Sequence, residues 1–328
     1  MWHELLINSF LTAIGFVLLI WGAALLVNGA VSLAKRAGIS NLVIGLTLVA
    51  FGTSAPELAA SLNASLRGIG DIACGNIVGS NIANLGLVMG VSAIFMPIAI
   101  KRNTAFWEIP FVIILSVVFW FMEKDLIFNR FDGFVLIILF LVFTVYCVIT
   151  AKADTDVELD MIEIDMVREK SLSVSRAFLY AASGIVFLAA GSDYLVKGAT
   201  GLAVNFGVSE AVIALSIVAL GTSLPELITS VIAAYKGEGD ISIGNILGSN
   251  IFNFLIVGGI TALVKPFSLS ERIFKFDTPV MLLITVLLFA VVTTRKKIGR
   301  IEGVFYLLFY LAYMAIVYIF PDGLFVYN

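Results

Sequence analysis

The chain has 328 residues, 60% of them hydrophobic and 13% charged, with a mean hydropathy of +1.07. A soluble domain carries about 25% charged residues, so this composition excludes an ordinary water-soluble globule and indicates a polytopic helical membrane protein. The net charge of −3, with no basic cluster, excludes nucleic acid as a partner, and the single histidine, His3, gives no basis for zinc or His-based catalysis.

Apolar runs of roughly 20 residues suffice to cross a hydrocarbon core of about 30 Å. They predict ten spans, at 5–34, 40–66, 71–98, 104–122, 131–151, 174–206, 209–235, 240–265, 276–294 and 300–320. The first and sixth are long enough to cross with a marked tilt. No period-2 alternation is sustained, which argues against a β-barrel. No basic segment precedes the first run, so a cleaved signal peptide is not expected. Gly and charge punctuate the spans at Lys35-Arg36-Ala37-Gly38, Arg67-Gly68 and Gly237-Glu238-Gly239. Cys74 and Cys147 lie within apolar runs and read as small packing residues. The one long polar connection, 152–173, is rich in Asp and Glu but lacks the Gly and ligand pattern of an EF-hand, so it reads as a solvated cytoplasmic linker. The expected division is a first unit over 1–151, this linker, and a second unit over 174–328.

The two units repeat each other. Gly52-Thr53-Ser54-Ala55-Pro56-Glu57-Leu58 returns as Gly221-Thr222-Ser223-Leu224-Pro225-Glu226-Leu227, 169 positions later. Gly75-Asn76-Ile77-Val78-Gly79-Ser80-Asn81-Ile82-Ala83-Asn84 returns at the same offset as Gly244-Asn245-Ile246-Leu247-Gly248-Ser249-Asn250-Ile251-Phe252-Asn253. Roughly half the aligned positions over 15–90 are identical, without a gap. Five spans per repeat is an odd number, which inverts the second copy in the membrane, the plan of secondary transporters with sites near the midplane. The expected fold class is therefore an all-α polytopic membrane protein, ten transmembrane helices in two inverted five-helix repeats.

Glu57 and Glu226 each stand in an otherwise apolar run, and an ionisable group at membrane depth is read as functional. Pro56 and Pro225 each remove the helical bond to the carbonyl four residues back, Gly52 and Gly221, and predict a kink there. Freed carbonyls near Ala50–Thr53 and Ala219–Thr222, with the hydroxyls of Thr53, Ser54, Thr222 and Ser223, are ligands for hard cations. Ser80 and Asn84 share a helix face, as do Ser249 and Asn253. Gly75, Gly79, Gly244 and Gly248 form small-xxx-small pairs suited to close helix approach. Two carboxylates brought together by a pseudo-two-fold would need a divalent cation, several sodium ions or protons between them. Asp71 and Asp240 read as helix N-caps, and Asp193 as a local ion-pair partner of Lys197.

These paired strings resemble the α-repeats of the sodium/calcium exchanger family, within the calcium:cation antiporter superfamily, and the ten-span count resembles its prokaryotic members. The resemblance implies one calcium and several sodium sites, with no cofactor. Glu57 and Glu226 would ligate calcium and sodium in turn. Thr53 and Thr222 would offer backbone oxygens to calcium. Ala50, Ser54, Ser80, Ala219, Ser223 and Ser249 would complete the sodium sites, Ala50 and Ala219 through carbonyls, and Asn84 would line the centre. Asn253 is the point of variation: some family members, including the potassium-dependent branch, have Asp there. Thr53 and Thr222 stand where the calcium/proton branch typically has Asn. The resemblance also implies that the two long spans slide past the other eight, with Gly22, Gly29, Gly191 and Gly198 keeping their surfaces smooth.

The implied function is a sodium-for-calcium antiporter working by alternating access, probed against a calcium/proton or other cation exchanger, a cation channel and an intramembrane hydrolase. Buried acids in inverted repeats favour a carrier over a channel, and no usable His or Ser–base pair supports a hydrolase. Lys and Arg near span ends number seven on the side of the termini and thirteen on the other. That excess predicts both termini outside and the linker in the cytoplasm, in a protein expected in the cell (inner) membrane.

Overall fold

Apolar runs in lipid must satisfy their own backbone, and helices do so within one segment. The structure, a computed structural model, describes residues 2–150, 172–206 and 219–320. Its long helices are α1 (Trp2–Ala37), α2 (Asn41–Thr53), α3 (Ala55–Leu66), α4 (Gly70–Phe95), α5 (Thr104–Asp125), α6 (Arg130–Ile149), α7 (Val174–Asn205), α8 (Leu224–Tyr235), α9 (Gly239–Val264), α10 (Ile273–Arg295) and α11 (Arg300–Ile319). Among the described residues, eight helices are long and apolar enough to cross a membrane, and the bent pair α2–α3 makes a ninth. Of the expected span 209–235, α8 is the main described part. The acidic segment of the expected linker lies outside the described residues.

The break between α2 and α3 falls at Ser54, where the axis bends by 46°. The kink expected at Pro56 is present, with the break two residues ahead of the proline. Pro56 itself occupies the first turn of α3, where no backbone N–H is needed. Ser54 (φ −89°, ψ 8°) and Ser223 (φ −86°, ψ 1°) adopt matching non-helical backbone ahead of α3 and α8.

α4 and α9 form the centre. Their most apolar windows are 78% and 89% buried inside the protein, against at most 39% for the other six single-helix spans. The halves are interleaved around them. Gly90 of α4 meets the backbone of Gly303 on α11, and Gly259 of α9 meets that of Gly133 on α6. Two short antiparallel pairings cross in the same way. β1 (Ile98–Ala99) pairs β4 (Lys297–Ile298), and β2 (Ile127–Phe128) pairs β3 (Phe267–Ser268), with Ile98 opposite Ile298 and Phe128 opposite Phe267.

The long helices α1 and α7 pack antiparallel on each other. A Cβ on Gly15 would come within 2.8 Å of the Gly191 carbonyl oxygen, one on Gly22 within 2.9 Å of that of Gly184, and one on Gly29 within 2.6 Å of that of Ala177. Gly191 and Gly198 face α1 in return. This corrects the role expected for Gly22, Gly29, Gly191 and Gly198. They do not smooth a surface toward the other spans; they fasten the two long helices together, because only a missing side chain lets backbones approach this closely.

Asp71 and Asp240 are also corrected. Neither is an N-cap, since Ile69 and Glu238 hold those positions. Asp71 accepts from the backbone N–H of Ser270, and Asp240 pairs with Lys101 at 2.7 Å, so each ties one half to the other. Asp193 does pair with Lys197, at 2.7 Å.

Candidate functional site

The site grows from the two breaks and the two central helices. Glu57 falls in the first turn of α3 and Glu226 in that of α8, and each side chain is 1% exposed. Among the described residues no Lys or Arg pairs with either, and the Oε2 atom of each has no hydrogen-bond partner. The carboxylates lie near enough for Glu57 to feel the charge of Glu226, and Thr222 stands at Glu57. Ser54 Oγ donates to Glu226 Oε1 at 2.8 Å, linking the break of the first half to the acid of the second.

Thr53 joins the same cluster. Its hydroxyl lies 3.3 Å from the Ala50 carbonyl, 3.1 Å from Asn245 Oδ1 and 3.4 Å from Ser249 Oγ. Two asparagines brace the acids in matching fashion. Asn76 Nδ2 donates to the Glu57 carbonyl and to Ser61 Oγ, at 3.2 and 2.9 Å. Asn245 Nδ2 donates to the Glu226 carbonyl and to Ser230 Oγ, at 3.4 and 2.9 Å. Those bonds turn one face of α4 and one face of α9 toward the acids. Ser80 and Asn84 continue the first face, Ser249 and Asn253 the second, at helical spacing of four.

Asn84 and Asn253 each open a wider, π-helical turn, over Asn84–Val88 and Asn253–Gly258. Such turns are frequent at functional sites. Asn84 Nδ2 donates to Asn250 Oδ1 at 3.0 Å and Asn253 Nδ2 to Asn81 Oδ1 at 3.1 Å. The side-chain oxygens of Asn84 and Asn253 are left without partners among the described residues.

The structure thus draws Ala50, Thr53, Ser54, Ser249 and Glu226 into one bonded cluster with Glu57 and Thr222 alongside. Ser80 and Ser223 are buried at their breaks and faces. Ala219 opens a single turn, Ala219–Gly221, and its side chain is outside the described residues. The sequence reading missed Asn76, Asn245, Asn81 and Asn250 as site-shaping residues, although all four recur at the 169-residue offset and were legible there. It also missed Ser192 of α7, whose Oγ donates at 2.5 Å to the Gly221 carbonyl, the carbonyl that Pro225 leaves without its helical donor. The counterpart of Ser192 is Ala23, so nothing in the repeat signals it.

The arrangement offers only oxygens: two carboxylates, hydroxyls, amide oxygens and backbone carbonyls. Such a set suits hard cations and not soft metals. Among the described residues no group of three or more His, Cys, Asp and Glu could hold a metal ion.

The profile of the family described as sodium/calcium exchanger protein matches residues 8–149 and 176–319. Inner membrane protein YrbG of Escherichia coli (strain K12) is 34% identical over 318 residues, covering 96% of this chain and 98% of that one. Sodium/calcium exchanger MaX1 of Methanosarcina acetivorans is 31% identical over 350 residues, covering 95% and 99%. The solved structure of the sodium-calcium exchanger NCX_Mj, soaked with 10 mM Na+ and 10 mM Sr2+, superposes with a TM-score of 0.82 at 30% identity, covering 95% of this chain and 98% of that one. A profile spanning both halves, relatives matched from end to end and a shared fold agree: the chain belongs to the sodium/calcium exchanger protein family and is a membrane transporter rather than an enzyme.

Proposed function

We propose that the protein is a secondary antiporter that exchanges sodium for calcium by alternating access, with Glu57 and Glu226 as the shared ligands. One observation carries this reading. Two carboxylates, one from each half, are both 1% exposed and have no basic partner among the described residues. An uncompensated buried charge costs several kcal/mol, so these acids need bound cations or protons to neutralise them. A divalent ion neutralises both at once, and sodium ions in the flanking hydroxyl and carbonyl positions do so singly. On this reading Thr53, Thr222, Ala50 and Ala219 supply backbone oxygens. Ser54, Ser80, Ser223 and Ser249 supply hydroxyls to sodium, and Asn84 and Asn253 line the centre.

The antiparallel contact of α1 with α7, and the crossed pairings β1–β4 and β2–β3, support two inverted repeats related by a two-fold in the membrane plane. The excess of Lys and Arg opposite the termini supports termini outside. A fluorescent-protein fusion at the C-terminus that folds only in the cytoplasm should then stay dark in cells, and a bright one reverses the orientation.

The deciding experiment is calcium uptake into sodium-loaded vesicles. Uptake should require the outward sodium gradient and be abolished by Glu57→Gln or Glu226→Gln. Uptake that ignores sodium and follows a proton gradient would replace this reading with calcium/proton exchange. Currents far above carrier turnover would replace it with a channel.

A further inference from the structure

We infer that Asn81 and Asn250 are positioning residues, each of which turns the central asparagine of the opposite half so that its oxygen, and not its NH2, faces the transported cation. The inference rests on the exchange proposed above.

The two ends of an asparagine side chain have nearly the same shape, so only their partners decide which end points where. Here the partners decide it. Asn250 Nδ2 donates to the backbone carbonyl of Asn81, at 3.4 Å. A carbonyl only accepts, so the NH2 end of Asn250 is fixed on that side and its Oδ1 is turned to Asn84. Asn84 must then present its own NH2, and does so at 3.0 Å. A second chain of bonds runs the other way, with a different anchor. Asn81 Nδ2 is directed at the sulfur of Met281, at 3.7 Å, which leaves Asn81 Oδ1 to accept from Asn253 Nδ2 at 3.1 Å. A thioether sulfur is likewise only an acceptor.

Both chains end on an orphan. Asn84 Oδ1 and Asn253 Oδ1 have no partner among the described residues, and their residues are 1% and 0% exposed. A buried acceptor without a donor needs an explanation in a native structure, and an absent ion is one. Both oxygens stand on the α4 and α9 faces whose Asn76 and Asn245 touch the Glu57 and Glu226 backbones. A cation on that face is drawn by an amide oxygen and repelled by an amide NH2. Releasing either central asparagine from its clamp lets it turn over and present the wrong end. Asn81 and Asn250 therefore act through Asn253 and Asn84, as outer partners that orient a ligand.

The test measures calcium uptake into sodium-loaded proteoliposomes as a function of calcium concentration. Asn250→Leu, close in size and unable to hydrogen-bond, should raise the half-saturating calcium concentration about 10-fold, the low end for loss of an outer-shell partner, with the saturated rate near that of the parent. In an Asn84→Ala background the same substitution should add nothing, since no oxygen remains to be aimed. An unchanged half-saturating concentration overturns the inference. So does a penalty that persists in full in the Asn84→Ala background, because that marks Asn250 as a packing residue. If Asn250→Leu misfolds, Asn81→Leu in the parent and in Asn253→Ala makes the same comparison through the other chain, and alanine replaces leucine where leucine is not accommodated. Glu57→Gln separates the two levels. If it keeps transporting, the exchange reading has failed; if it is dead while Asn250→Leu is normal, only the positioning role has.

Discussion

At the scale of single residues, the decisive feature is how few charges the site uses. Among the described residues Glu57 and Glu226 are the acids of the proposed site, and Asn253 is a neutral amide whose counterpart is another amide, Asn84. Asn253→Asp would add a third carboxylate at a position with 0% exposure and would also forfeit the NH2 that holds Asn81. The expected outcome is an altered cation preference, measured by competing calcium, sodium and potassium against one another in vesicle uptake; unchanged selectivity would remove Asn253 from the site. Ser192 acts on a different link, the fold itself. Ser192→Ala would leave the Gly221 carbonyl buried without a donor, a loss of about 1–3 kcal/mol, visible as a lower midpoint of thermal unfolding in detergent. The candidate acids, hydroxyls and amides were legible in the repeat, because each recurs at the same offset in both halves. Ser192 was not, because its bond exists in one half only.

At the scale of elements, α1 and α7 are packed backbone to backbone. A valine at Gly22 would drive its Cβ to within 2.8 Å of the Leu188 backbone nitrogen. Overpacking of this kind costs about 1–3 kcal/mol, and because the obstruction is backbone, Gly22→Val should reduce the folded yield judged by size-exclusion profile. The same locking has a mechanical consequence on the proposed alternating access. Lys236 Nζ, at the end of α8, donates at 2.7 Å to Asn28 Oδ1 on α1. If the α1–α7 unit moves against the rest, then cysteines at 28 and 236, with Cys74 and Cys147 replaced, should stop transport when joined by a bifunctional thiol reagent and restore it when released. Transport that continues across the cross-link would mean that α1 and α8 keep their places through the cycle. Helix α9 shows the counterpart of this locking at the site. Gly244 and Gly248 let it close on α2, with a Cβ at either coming within 2.7 Å of the Leu42 or Leu46 backbone. That close approach was expected from the small-xxx-small spacing, but the same spacing at Gly75 and Gly79 brings no backbone close among the described residues: a Cβ at Gly75 would meet only the Ile273 side chain at 4.0 Å, and one at Gly79 nothing within 4 Å. The π-helical turns opening at Asn84 and Asn253 did not, because no residue pattern distinguishes a wider turn from an ordinary one within an apolar helix.

At the scale of the whole molecule, the interleaving of the halves places the polar machinery where lipid cannot reach it. The two most buried spans, α4 and α9, carry the amides, and the outer spans shield them. A buried acid pair is tolerated there because it never meets hydrocarbon. If sodium outnumbers calcium enough to leave one net charge crossing per cycle, calcium uptake into sodium-loaded vesicles should be favoured by an inside-positive potential. About 100 mV would be worth about 2.3 kcal/mol, and an ionophore-clamped uptake series reads it directly; no response to potential would mark the exchange as electroneutral.

The sequence by itself determined the membrane class, the sites of most spans and the doubling of the chain, since each is written in composition or in a fixed offset. It also named the acids, because a charge in an apolar run has few other uses. Only the tertiary structure decided which surfaces the glycines serve, that Asp71 and Asp240 tie the halves together instead of capping helices, and which central amides bond one another. Those are properties of contacts between segments far apart in the chain, and a contact depends on the neighbour as much as on the residue. A repeat announces that two residues are equivalent; it does not say which residue each one meets.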